Sequence, residues 1–166
     1  MSGDWALSLQ RSRLDHRIAQ GLERGTVKIT QTDSLFTFRR LFVVGGKEDR
    51  AGYELPLDGT EKAVSDGPMP HHSKLEWEAD ALVLRERYKA PQGEATNTVH
   101  YRLLDNGRTI EAREVFHGPR VQYDNTWIFE KRDAGEVSIP RVRRHPDPAH
   151  ADYRTSGSGC FRYSST

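Results

Sequence analysis

The chain has 166 residues, 35% of them hydrophobic and 30% charged, with a formal net charge of +1. That length suits one ordinary domain and a tail and leaves little room for two substantial cores, while an aromatic content of 9% argues against wholesale disorder. No run is long and apolar enough for a membrane helix, and Met1 to Leu14 lacks the cationic-then-apolar pattern of a secretory signal, so a cytoplasmic protein without membrane association is expected. The single Cys160 rules out an internal disulfide and a cysteine-rich zinc site.

In chain order, Asp4 to Leu9 reads as a short opening strand and Ser12 to Gln20 as a brief helix or turn. Period-two alternation begins at Thr26 to Thr32 and resumes over Leu35 to Val44, which a hairpin at Asp33-Ser34 would join. Gly45 to Asp49 supplies a turn, Gly52 to Leu57 a short strand with Pro56 at an edge or terminus, and Thr60 to Ser65 another short strand. The segment Gly67-Pro68-Met69-Pro70-His71-His72 interrupts regular pairing, because its prolines remove backbone donors, and predicts a loop near a rim. Strands follow at Lys74 to Glu78, Leu82 to Lys89, Ala95 to Leu104, Thr109 to His117 and Val121 to Lys131.

Nine or ten short strands in sequential hairpins, with no helices between them, exclude parallel crossover folds. The pattern predicts an all-β, antiparallel up-and-down barrel of about 8–10 strands over residues 1–133, with a two-sheet sandwich as the alternative. Proline and Ser/Gly segments after Arg132 predict a polar tail at 134–166. The body carries 20 Lys/Arg against 21 Asp/Glu and the tail 5 against 3. Arg141, Arg143 and Arg144 form a basic patch in that tail, but without an aromatic platform or recognition module no nucleic-acid partner is expected.

Gly3-Asp4-Trp5 is a Gly-x-Trp feature placed before a long antiparallel meander, and residues 3–133 thereby resemble bacterial lipocalin-like, calycin-like small β-barrel families. The resemblance implies a barrel whose Trp5 closes one end near a late basic residue, Lys131 or Arg132. It also implies a ligand-holding interior. The short loops are similar to those of compact bacterial or fatty-acid-binding-protein-like barrels.

The alternation separates Val99/Tyr101/Leu103 from His100/Arg102/Leu104, and Ile110/Ala112/Glu114/Phe116 from Glu111/Arg113/Val115/His117, without telling which set faces inward. A mixed aromatic and polar interior would suit a small hydrophobic or amphipathic molecule, with Arg113, Tyr101 and Tyr123 orienting its polar group and Trp77 and Trp127 lining the wall. The competing expectation is that these aromatics fill a core. A second function class is a cofactor-independent isomerase, cyclase or lyase using His100 or His117 as acid/base with Glu111 or Glu114 nearby. A third is an assembly protein that docks through its tail, and a homodimer is left open. Glu76, Glu78 and Asp80 are expected at a solvent-facing rim, and His71 and His72 in an exposed loop. No metal-ligand spacing, nucleophile elbow, phosphate loop or dinucleotide fingerprint occurs, so neither a metal nor a cofactor is expected.

Overall fold

The computed structural model describes residues 1–64, 70–90 and 92–132. The tail assigned to 134–166, with Cys160 and its arginines, lies outside the described residues, as do Ser65 to Met69 of the proline-containing segment.

Ten strands form one antiparallel sheet: β1 (Gly3–Leu7), β2 (Leu22–Gln31), β3 (Leu35–Val44), β4 (Lys47–Pro56), β5 (Lys62–Val64), β6 (His71–Glu78), β7 (Ala81–Ala90), β8 (Gly93–Leu104), β9 (Thr109–His117) and β10 (Gln122–Lys131). Among the described residues the single α-helix, α1 (His16–Ala19), lies between β1 and β2, and Asp15 caps it by accepting from the Arg17 amide. Strand order is β4-β3-β2-β1-β10-β9-β8-β7-β6-β5. The meander curls until β1 pairs on one side with β2 and on the other with β10. Closure is nearly complete, since an isolated bridge joins Asp58, just after β4, to Glu76 of β6, and the Gly59 amide donates to the Leu75 carbonyl at 3.0 Å. Gly59 has φ +77, and a Cβ there would meet Glu76 Oε2 at 2.7 Å, so the seam needs a residue without a side chain.

Three elements start three or more residues earlier than the sequence predicts, the first being β2, which begins at Leu22 rather than Thr26. β4 begins at Lys47 because Gly45 and Gly46 alone make the turn, both with positive φ, as a two-residue hairpin requires. The charged Lys47 to Arg50 run remains in the ladder, supported by ion pairs Arg40–Asp49 at 2.9 Å and Arg50–Glu48 at 2.8 Å. β6 begins at His71, which pairs with Tyr88 of β7 and Val64 of β5, so His71 and His72 belong to the sheet rather than to the interrupting loop.

Register carries one inward phase around the whole barrel. Trp5 aligns with Val27 and Lys131, Ile29 with Phe38, Phe36 with Leu55, Leu75 with Leu84, Leu84 with Val99, Tyr101 with Ala112, and Ile110 with Phe129. These residues, Lys131 excepted, form or adjoin the buried core, and Trp5, Phe36, Leu55, Leu75, Leu82 and Ile110 are essentially inaccessible. They crowd one end of the barrel, taken here as the lower end. Lys131 Nζ stands 5.6 Å from the Trp5 ring centroid, and the Arg132 amide donates to the Asp4 carbonyl at 2.8 Å, so both late basic residues meet the first strand.

Candidate functional site

Four rings divide the interior at mid-height. Phe38 stacks on Tyr53 at 5.1 Å between centroids, and Phe36 and Phe38 reach Tyr101 on the opposite wall at 6.3 and 6.2 Å. The Tyr53 and Tyr101 hydroxyls meet at 3.2 Å. Burial drives both phenol pKa values well above the ordinary tyrosine range, because a phenolate there would lose its hydration. The rings therefore make a neutral floor.

Above that floor the inward phase changes character. Ser73, Glu86, Asn97 and Phe116 lie in register on β6 to β9, and the adjacent row carries Val99, Glu114 and Asn125. Asn97 Nδ2 donates to both carboxylates, at 2.9 Å to Glu86 and 3.3 Å to Glu114. Glu86 also accepts from the Tyr88 hydroxyl at 2.8 Å and has His71 Nε2 at 3.4 Å. Glu114 accepts from Asn125 Nδ2 and from Trp127 Nε1, each at 2.8 Å. Two carboxylates that share one amide donor repel each other when both are ionised, so such a pair needs this density of donors. Burial pushes the Glu86 carboxyl up, but the hydrogen bonds from His71, Asn97 and Tyr88 outweigh it and hold the group below its ordinary value.

Each member is placed by its strand. Asn125 is buried, and its Oδ1 accepts the Asp15 amide at 2.7 Å, which ties the start of α1 to the same network as Glu114. Trp127 stacks on Phe42 at 5.5 Å, and Phe42 has room because β2 carries Gly25 opposite, where a Cβ would fall 2.7 Å from the ring. Arg40 also faces inward, with its guanidinium 4.9 Å from the Phe42 centroid and its charge paired to Asp49. At the upper rim a run of rings follows the wall: His71 on Tyr88 at 4.6 Å, Tyr88 near Phe116 at 6.4 Å, and Phe116 on Tyr123 at 5.0 Å. His71, Tyr88, Phe116, Tyr123 and Trp127 all share the inward phase, yet each is only partly buried.

Of the residues singled out from the sequence, Tyr101, Tyr123 and Trp127 face the interior, Tyr101 in the floor and the other two above it. Trp77 has the inward phase but sits at the lower rim with 45% of its surface exposed. His100, Glu111, Arg113 and His117 occupy the opposite phase and face out of the barrel. His100 aligns with Arg113, whereas His117 aligns with Thr96 four rows away, so the two histidines do not converge. Glu111 accepts from Arg113 Nε at 2.9 Å, an outer-surface pair. Glu76 and Glu78 both contact Arg85 on the outer surface. The inner acid row of Glu86, Asn97 and Glu114 is what the sequence reading missed. Its signal was present in the register, because once Tyr101 faces inward, Asn97 and Glu114 must do so too. Among the described residues, no group of three histidine, cysteine or acidic side chains is arranged to hold a metal.

No protein-family model and no curated protein sequence matches the chain. Solved structures do. Zebrafish ileal bile acid-binding protein complexed with cholic acid is similar at 13% identity and a TM-score of 0.54, over 79% of this chain and 98% of that one. A mutant of the fluorescent protein UnaG matches at 13% identity and 0.53, over 80% and 96%. A secretory abundant heat soluble protein from Ramazzottius varieornatus matches at 15% identity and 0.52, over 79% and 94%. With ten antiparallel strands, one short α-helix and a nearly closed ring among the described residues, the chain has a lipocalin-like barrel fold.

Proposed function

We propose that the barrel binds a small hydrophobic or amphipathic molecule in its upper half, between the ring floor and the rim that carries His71, Tyr88, Phe116 and Tyr123. The observation that carries this reading is that the inward-phase rings of Tyr88, Phe116, Tyr123 and Trp127 above the floor are only partly buried, Phe42 excepted, whereas Trp5 and Phe129 below it are buried and only Trp77, at the lower rim, is exposed. Rings that face an interior yet remain reachable by solvent can exchange water for an apolar ligand, which is the usual source of affinity in such sites. The likeness in fold to a bile acid-binding protein supports the same reading.

A ten-carbon alkyl chain sets the scale. At about 0.8 kcal/mol per buried methylene its burial is worth at most roughly 8 kcal/mol, which corresponds to a Kd of about 1 μM before entropic costs. Decanol, neutral and apolar, is the direct probe. Titration followed by tryptophan fluorescence and calorimetry should give saturable binding, with a spectral change that is lost in Trp127→Phe. An absence of saturable binding up to the solubility of decanol would overturn the proposal.

A further inference from the structure

The acid row has a pattern of donors and acceptors that selects among apolar ligands. Its side-chain donors are already engaged: Asn97 Nδ2 on both carboxylates, Asn125 Nδ2 and Trp127 Nε1 on Glu114, and the Tyr88 hydroxyl on Glu86. Acceptors are left over. Asn97 Oδ1 is buried with no hydrogen-bond partner, on a residue only 9% exposed. Ser73 Oγ, on a residue only 1% exposed and in register beside Glu86, has none either, and its hydroxyl can both accept and donate. A buried polar atom without a partner is costly, and an acceptor such as Asn97 Oδ1 is satisfied only by an incoming donor.

The charges point the same way. Among the described residues, Glu86, Glu114 and Asp49 share the inward phase of the upper half with Arg40, with His71 and with Lys47 and Lys62, both of which are exposed. Arg40 is held by Asp49 at 2.9 Å and His71 stands beside Glu86, so Glu114 is held by neutral donors. At the row itself an anionic head group would meet Glu86 and Glu114 directly, whereas a cationic one would find two carboxylates and an open amide oxygen.

Resting on the ligand-binding reading above, we infer that this row receives the cationic head, an ammonium or guanidinium, of an otherwise apolar molecule. Its N–H groups would donate to Glu114, Glu86 and Asn97 Oδ1, while the alkyl or aryl body lies along Trp127, Phe42, Phe116 and Tyr123. Charge-assisted hydrogen bonds of this kind are the stronger class, and they are strengthened by a surrounding that excludes water.

The test compares three ligands that differ only in the head group, decylammonium, decanol and decanoate, titrated at pH 7 into the intact protein by calorimetry. Decylammonium should bind about tenfold or more tightly than decanol, with decanoate weakest. In Glu114→Gln and Glu86→Gln the preference for the cation over decanol should fall at least severalfold, while the exposed hairpin variant Glu48→Gln keeps it. Decanoate binding as tightly as decylammonium would overturn the inference and leave the ligand-binding reading standing. Failure of all three to bind would overturn both. A cation preference unchanged in both inner variants, or lost in Glu48→Gln, would also overturn it, because the attraction would then arise elsewhere on the acidic surface. Should one inner variant fail to fold, the other and the wild-type series still decide.

Discussion

The lower and upper halves of the barrel share the same ladders and differ in what fills them. Below the ring floor, Trp5, Ile29, Leu55, Leu75, Leu82 and Ile110 pack as a domain core does, with almost no exposure. Above it, the same inward phase of the same strands carries Glu86, Asn97, Glu114, Asn125 and partly exposed rings. The lower half has the means to hold the fold together, which leaves the upper half free to carry charges and open acceptors that cost stability. A protein that must bury a ligand in a small barrel can separate the two tasks along the barrel axis in this way.

The largest expected effect breaks the lower half. Leu82→Ala removes a side chain with no exposed surface and should cost about 3 kcal/mol in urea denaturation, combining lost transfer energy with a cavity. Phe116→Ala, at the half-exposed upper rim, should cost roughly half as much or less, although the side chain is larger. Equal losses at both positions would mean that the upper half is as tightly packed as the lower. Gly25→Ala should come next, at about 2 kcal/mol, because the new methyl meets Phe42 with nowhere to go. Its signature is local to the upper half: Phe42 must move off Trp127, which should shift the tryptophan emission of the folded protein.

Why the floor and the core were more legible in the sequence than the acid row follows from these same residues. Alternation in Leu35 to Val44 or Thr109 to His117 marks a strand whichever face is buried, so the bounds of β3 and β9 coincide with the pattern. The phase is harder. In β9 the inward set is Ile110, Ala112, Glu114 and Phe116, and the outward set includes Val115, so each face mixes apolar and charged residues. Hydrophobicity alone cannot choose between them, and candidates drawn from both faces, such as Arg113 and Tyr101, result. Phase is a property of register: one buried anchor, Trp5, settles it for every strand through the pairings Trp5–Lys131, Phe129–Ile110 and Ile110–Leu103. His71 was obscured differently, since two nearby prolines mask the start of β6.

Acid and alkali should act on different groups. The Glu86 carboxyl lies below its ordinary value in the folded state, so its contribution is present above the unfolded value near 4.5 and is lost as pH falls through the folded one. Glu86→Gln should therefore flatten the acid limb of a stability-against-pH curve. Tyr53, Tyr88 and Tyr101 are raised above 10, so an unfolded chain releases their protons first and stability falls as pH climbs past about 10. Tyr101→Phe should soften that alkaline limb without touching the acid one. If Glu86→Gln leaves the acid limb unchanged, the carboxylate is not held by His71, Asn97 and Tyr88 as described.

The smallest expected effect tests the boundary between inside and outside. Arg113 lies on the outer phase of β9, with its side chain 61% exposed and its Nε on Glu111. Surface ion pairs of this kind contribute little, because solvent screens the charges and ordering two long side chains costs entropy. Arg113→Ala should change stability by no more than about 0.5 kcal/mol and leave the affinity for decanol unaltered. Arg113 and Glu114 are consecutive residues pointing to opposite sides of one sheet, so substituting each in turn compares the two faces at a single point of the wall. A loss of decylammonium affinity in Arg113→Ala matching that in Glu114→Gln would mean that the inward phase has been misassigned. The same result would move the acid row, and the ligand with it, to the outside.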